Sequence, residues 1–174
     1  KNRIILISDE IYHGIEYGKK TKSILNCGSK AVVINSFSKY FCMPGWRLGW
    51  AVVPDQFIDN FLRLSQNLFI SSGNLAQYSA IKVFECLDDL DLVVDNYLEN
   101  RGIVFDSLKK IEKIKFSKPN GAFYFYLNIS KIHSCSNSFV SKLLKETGIA
   151  ITPGLDFDKK NGLKTIRVAF SAKK

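Results

Sequence analysis

Apolar positions along this chain come first as unbroken runs, then at helical spacing, then in alternation. Ile4-Ile5-Leu6-Ile7 is a continuous apolar run that ends in Ser8-Asp9-Glu10, and Ala31-Val32-Val33-Ile34 repeats the pattern before Asn35-Ser36. Runs of this kind predict strands covered on both faces. If the two are parallel, Asp9 and Ser36 stand at one sheet edge, where ligands of open α/β sheets bind. The segment between them is long enough for a crossover. A third strand is expected from Arg47 to Val53. Pro44-Gly45 argues against a crossover helix before it, which favours an antiparallel return that brings Arg47 back to the same edge.

After Pro54 the spacing becomes helical. Phe57, Ile58, Phe61, Leu62 and Leu68 form one stripe, and Leu75, Ala76, Ala80, Ile81 and Phe84 form a second. From Asp91 to about Ile114, Val94, Tyr97, Leu98, Phe105, Leu108 and Ile111 predict one long amphipathic helix. At ~1.5 Å per residue it would be about 36 Å long, enough to bridge two domains. Beyond it, Ala122 to Asn128 reads as an aromatic-rich strand. Asn137 or Ser138 is expected to cap a helix that runs through Glu146 and stops at Gly148. Thr165 to Phe170 alternates, so Ile166, Val168 and Phe170 share one face and Arg167 points to the other. The pattern as a whole is α/β, with a mixed sheet and helices followed by a smaller α/β unit.

Composition narrows the class. A hydrophobic share of 46% with 13% aromatics in 174 residues fits a folded chain rather than a disordered one. No apolar run approaches the roughly 18 to 20 residues that span a bilayer, so no membrane partner is expected. No secretory leader is expected from the first residues. Cys27, Cys42, Cys86 and Cys135 are scattered without C-x-x-C spacing, which points to reduced thiols in a cytoplasmic protein and to no metal site. The net charge of +9 comes from isolated lysine pairs and not from a basic tract, so nucleic acid is not expected as a partner.

The densest chemistry lies in Asn35-Ser36-Phe37-Ser38-Lys39 and in Gly45-Trp46-Arg47-Leu48-Gly49-Trp50. A lysine that attacks a carbonyl must be deprotonated, which calls for a shielded, electropositive site. Serine hydroxyls and an arginine fork suit a phosphate dianion. The tryptophans and glycines around Arg47 predict a buried, closely packed strand. His13 and His133 have no motif context and are read as structural.

These motifs occur in a fixed order: Ser8-Asp9-Glu10-Ile11-Tyr12, Ser36-Phe37-Ser38-Lys39, Gly45-Trp46-Arg47-Leu48-Gly49, Pro119-Asn120-Gly121-Ala122-Phe123-Tyr124, Pro153-Gly154 and Ile166-Arg167. In that order the chain resembles the class I/II (aspartate aminotransferase-like) pyridoxal-phosphate aminotransferases of fold type I. The resemblance runs almost end to end. Family members are about twice this length, so the chain is expected to be their C-terminal part. Residues 1–100 would belong to the large cofactor-binding domain. Residues 101–174 would form the small C-terminal domain, with its last helix absent.

The resemblance also implies roles. Lys39 would bind pyridoxal 5'-phosphate as a Schiff base and serve as the catalytic acid/base. Asp9 would face the pyridine nitrogen and Tyr12 the phenolic oxygen. Ser36, Ser38 and Arg47 would hold the phosphate, and Arg167 would clamp the substrate α-carboxylate. Glu10 is the rival carboxylate to Asp9, but alternation turns it away. The implied reaction is ping-pong transfer of an amino group from an amino acid to a 2-oxo acid, in a homodimer. A carbon–sulfur β-lyase on the same scaffold, or a fragment without activity, are the alternatives. No second arginine stands near Ser71-Ser72-Gly73-Asn74, so the residues do not indicate a dicarboxylic donor.

Overall fold

The computed structural model describes residues 4–28 and 30–172. The chain divides into two units, Lys1–Val94 and Asp95–Lys174.

In the first unit, β1 (Ile7–Asp9), β2 (Val32–Ser36) and β3 (Gly49–Val52) form a three-stranded sheet in that order. β1 and β2 are parallel, with Asp9 opposite Ile34. β2 and β3 are antiparallel, with Ser36 opposite Gly49. Both strand directions agree with the sequence pattern. The expected two-sided cover does not hold for β1, because Ile4, Ile5, Leu6 and Ile7 are all exposed. β1 is an edge strand of this sheet, and pairing along the sheet supplies no layer above or below its faces. At β2, the central strand, Ala31, Val32 and Val33 are buried as expected, but Ile34 is exposed and departs from the two-sided cover.

β3 also differs from expectation. It starts at Gly49 instead of Arg47, and every residue in it is exposed. Trp46 and Trp50 are each about two-fifths exposed, at 41% and 38%. The later start has a local reason. Pro44–Trp46 is a 3-10 turn, and Arg47 caps it in the left-handed region, which cannot continue as a strand. Extended geometry resumes two residues later.

The helices are α1 (Ile58–Leu68), α2 (Asn74–Val83) and α3 (Leu87–Leu108). α1 has no buried residue, and of α2 only Ala76 and Ala80 are buried. Both stripes read from the sequence are present, but most of their large side chains stay open to solvent. α3 begins four residues earlier than the sequence suggested and ends at Leu108. Turns at Lys110, Ile111 and Ile114 replace the expected last helical turn, and Ile114 enters the core from that turn.

The second unit carries β4 (Tyr124–Asn128), α4 (Ser136–Thr147), β5 (Thr152–Pro153) and β6 (Thr165–Ala169). Its sheet is antiparallel in the order β4-β6-β5, which puts β6 in the centre. Phe125, Leu127, Ile129, Ile166 and Phe170 are buried beneath it, and Phe105, Phe116, Phe125 and Phe170 pack ring against ring. Arg101 is buried and donates from Nε to the Pro119 carbonyl at 2.6 Å. α4 starts at Ser136, not at a capping Asn137 or Ser138, and the Ser138 hydroxyl donates back to the Cys135 carbonyl. Gly148 ends the helix at φ 72°, as its position suggested.

Candidate active site

The turn that carries Lys39 is set by its hydrophobic neighbours. Phe37 is buried with Met43 and Ala80, and Phe41, Leu48 and Val83 pack against that cluster. The Phe37 and Phe41 rings lie 4.9 Å apart, and each also meets Trp50 and Phe84. Backbone bonds from Cys42 to Lys39 and from Met43 to Phe37, both 3.0 Å, close the turn. With the aromatic pair anchored inward on either side, Lys39 stays half-buried at the sheet edge. Its Nζ lies 5.8 Å from the centre of the Tyr12 ring, a cation–π distance.

Two hydroxyls stand beside it. Ser36 Oγ is 2.8 Å from Ser38 Oγ and 3.1 Å from the Leu48 carbonyl, and the Ser38 amide donates to Ser36 Oγ at 3.0 Å. β3 runs close against them. A Cβ on Gly49 would come within 2.7 Å of the Asn35 carbonyl, so only glycine allows this approach. Arg47 leads into that strand from the same edge. Its side chain is exposed, and Nη1 donates to the Pro44 carbonyl at 2.7 Å. That single bond leaves most of the guanidinium donors for another acceptor.

Asp9 ends β1 at the edge where Ser36 ends β2, as parallel pairing requires. The Ile11 amide donates to Asp9 Oδ1 at 3.2 Å, a local turn that fixes the carboxylate's direction. Glu10 faces the other way and is buried. It accepts from Ser8 Oγ (3.1 Å), Ser23 Oγ (3.1 Å) and the Ile24 amide (2.9 Å), and His13 Nδ1 lies 3.4 Å away. Burial raises the Glu10 pKa, but these donors and His13 outweigh it and hold the carboxyl below its ordinary value. His133 is also engaged locally, as its Nδ1 accepts from the Cys135 amide.

The structure therefore brings Asp9, Ser36, Ser38 and Lys39 to one sheet edge, with Tyr12 beside Lys39 and Arg47 entering from it. Arg167 belongs to the second unit, in the centre of β6. The sequence reading passed over Tyr40. Its hydroxyl donates to Asp91 Oδ1 at 2.6 Å. A Cβ on Gly14 would meet the Tyr40 ring at 2.6 Å, so glycine there lets the ring lie on the segment after Tyr12. The signal was available, in a tyrosine next to the lysine and a glycine two residues after Tyr12.

The mixed α/β layer that carries this edge is the fold of the fold type I aminotransferases. Sequence comparison agrees across the whole length. Residues 1–174 match the family described as aminotransferase class I and II, and the chain belongs to that family. It is 40% identical over 170 residues to a valine–pyruvate aminotransferase of Mycobacterium tuberculosis, covering 95% of this chain and 44% of that one. It is 32% identical to an aspartate aminotransferase of Sulfurisphaera tokodaii, covering 99% of this chain and 45% of that one. Among solved structures, an aminotransferase from Mycobacterium tuberculosis superposes with a TM-score of 0.91 at 40% identity, over 97% of this chain and 45% of that one. Aspartate aminotransferase from Thermotoga maritima superposes with a TM-score of 0.85 at 30% identity, over 98% and 44%. The chain thus spans less than half the length of these relatives. Among the described residues no helix is long and apolar enough to cross a membrane.

Proposed function

We propose that the complete protein is a pyridoxal-phosphate-dependent aminotransferase that moves an amino group from an amino acid to a 2-oxo acid by ping-pong exchange. The observation that carries this reading is the Lys39 turn, a half-buried lysine held beside Tyr12 and two hydroxyls at the end of parallel strands. The residues present fit the cofactor. Ser36, Ser38 and Arg47 supply hydrogen-bond donors of the kind a phosphate dianion takes. Asp9 offers a carboxylate to a ring nitrogen, and Tyr12 a hydroxyl to a ring oxygen. When bound, pyridoxal phosphate supplies a carbonyl that links to amines and a ring that takes up the electron pair left on a deprotonated Cα.

The chain's own residues do the rest. Lys39 Nζ would hold the cofactor covalently, and as a free amine it would take up the proton from the substrate Cα. The Asp9 carboxylate favours a protonated ring nitrogen by direct charge attraction. The Tyr12 hydroxyl would donate to the cofactor's ring oxygen. Arg167 binds the substrate α-carboxylate with a two-pronged fork that lysine would not reproduce.

The same reading makes the complete protein a cytoplasmic homodimer, with residues 1–100 in the cofactor domain and 101–174 in the small domain. Four free cysteines support the compartment, and the exposed apolar side chains of α1 and α2 support the dimer. The 174-residue chain by itself is expected to bind cofactor weakly and turn over little, since it spans less than half of the relatives' length.

Borohydride treatment of the cofactor-loaded complete protein, followed by peptide mass analysis, tests the assignment. The cofactor should be found on Lys39, and Lys39→Ala should lose both the covalent link and amino-group exchange. Modification of another lysine would remove Lys39 from the role. Pyruvate release from a cysteine conjugate without amino exchange would favour the β-lyase.

A further inference from the structure

Arg167 is held by more than its own strand. It occupies the central strand of the second unit, opposite Tyr126 on β4 and Thr152 on β5. Side chains of paired residues share a face, so this row lies on the side away from Phe125, Leu127 and Ile166. Above it the guanidinium carbon lies 4.0 Å from the centre of the Phe157 ring and 4.3 Å from that of Tyr124. Both are cation–π distances, and arginine stacks on rings through its flat faces while its N–H bonds point outward along the edge. Among the described residues no carboxylate pairs with Arg167.

The loop that carries Phe157 is built for this placement. β5 ends at Pro153, and Gly154–Asp156 turns in a 3-10 helix that the Phe157 amide closes onto the Gly154 carbonyl at 3.0 Å. Gly154 lies directly against Thr165 and Gly162. A Cβ there would strike Thr165 Oγ1 and come within 2.6 Å of the Thr165 carbonyl, and one on Gly162 would meet Gly154 at 2.6 Å. The far side is fastened too. Asp158 accepts from the Lys160 and Asn161 amides, and buried Ser136 donates to the Gly162 carbonyl at 2.7 Å. The turn cannot lift from the sheet without breaking these contacts. Phe157 is nevertheless 51% exposed, so its ring is not placed there by burial.

We infer that Phe157, with Tyr124, is a positioning residue for substrate carboxylates, its ring held over Arg167 so that the guanidinium offers only its N–H edge to the substrate. This rests on the reading of Arg167 as the carboxylate-binding residue. A ring on the guanidinium keeps water from its faces and fixes its plane. Both effects lower the ordering cost of a two-pronged contact with a carboxylate.

The test uses the complete cofactor-loaded protein in four forms: parent, Arg167→Lys, Phe157→Leu and Phe157→Tyr. Arg167→Lys should raise KM for amino acids and 2-oxo acids. Phe157→Leu, which keeps apolar bulk without a π face, should raise the same KM values about fivefold while kcat stays within about twofold. Phe157→Tyr should restore the parent values. Ring-fluorinated phenylalanines at 157, which drain the ring's negative face stepwise, should raise KM in the same steps. A readout without turnover accompanies these. In nitrogen-15 spectra, rotation about the Arg167 Nε–Cζ bond should be faster in Phe157→Leu than in the parent. If Arg167→Lys raises KM but Phe157→Leu and the fluorinated series leave KM and bond rotation unchanged, the inference is overturned and the reading of Arg167 stands. If Arg167→Lys leaves KM unchanged for every substrate, that reading fails and takes the inference with it.

Discussion

Tyr40 ties the Lys39 turn to α3, its hydroxyl donating to Asp91 Oδ1 at 2.6 Å while its ring covers Gly14. One side chain next to the candidate lysine thus joins three segments that the sequence places far apart. Burial, the bond to Asp91 and the nearby charges of Asp91 and Asp88 push the Tyr40 pKa up to about 12 from an ordinary 10.0.

The first prediction concerns that bond. Tyr40→Phe keeps the ring on Gly14 and removes only the hydroxyl, so it should destabilise the complete protein by about 1 kcal/mol. The pH dependence has a definite sign. A folded-state pKa raised above the unfolded one gives stability that is complete below about 10 and is lost as pH rises through about 12. Thermal unfolding between these limits should show this loss in the parent and not in Tyr40→Phe. The same slope in both proteins would assign it to another group.

Glu10 gives the opposite sign. Its carboxyl is held below its ordinary value by the Ile24 amide, Ser23, Ser8 and His13, against the effect of burial. Stability from this group is therefore present above the ordinary carboxylate range and is lost as pH falls through the depressed value. Glu10→Ala strands three donors and should cost about 2 kcal/mol, measured by denaturant titration near neutral pH. Glu10→Gln should cost less and remove the acid dependence. An unchanged acid limb in Glu10→Gln would count against Glu10 as its source.

Gly49 sets how closely β3 approaches the two serines. Gly49→Ala drives a methyl toward the Asn35 carbonyl, 2.7 Å from the ideal Cβ, and should destabilise by about 1 to 3 kcal/mol. Gly45 has open space around its Cβ position, so Gly45→Ala should stay within about 0.5 kcal/mol of the parent. Cofactor affinity, followed by absorbance titration, should weaken in Gly49→Ala and hold in Gly45→Ala. Equal behaviour of the two would mean that the close approach has no consequence.

Arg167→Lys keeps the charge and loses the fork. In the complete protein it should weaken amino-acid substrates by about 2 to 5 kcal/mol if the contact is desolvated. Cofactor binding, read by absorbance, should stay near the parent. A parallel loss of cofactor would place Arg167 in a structural role.

Much of the candidate site's layout was legible in the order of residues alone. Asp9 and Ser36 follow apolar runs, and parallel runs put their polar ends at one edge. Pro44-Gly45 argues against a crossover helix, which favours the antiparallel return that β3 makes. Alternation from Thr165 to Phe170 turned Arg167 away from the core. These features are local. They depend on strand period and on proline's missing donor, and the linear order of residues already contains both.

Burial and long-range placement were not legible. The apolar residues of β1 and the tryptophans of the Arg47 segment look like core in the sequence, yet they are open in this chain, because burial depends on which layer lies opposite. Hydrophobic character records only that a side chain gains by leaving water, not where it can do so. Arg47 adopts a left-handed cap that no residue preference announces. Tyr40 reaches Asp91 across 51 positions, and Phe157 returns over Arg167 only because Gly154 and Gly162 let two backbone segments touch. Chemical identity and local period were fixed by the order of residues. The pairing of distant side chains was decided by tertiary packing, since contact distance depends on the whole path of the chain between them.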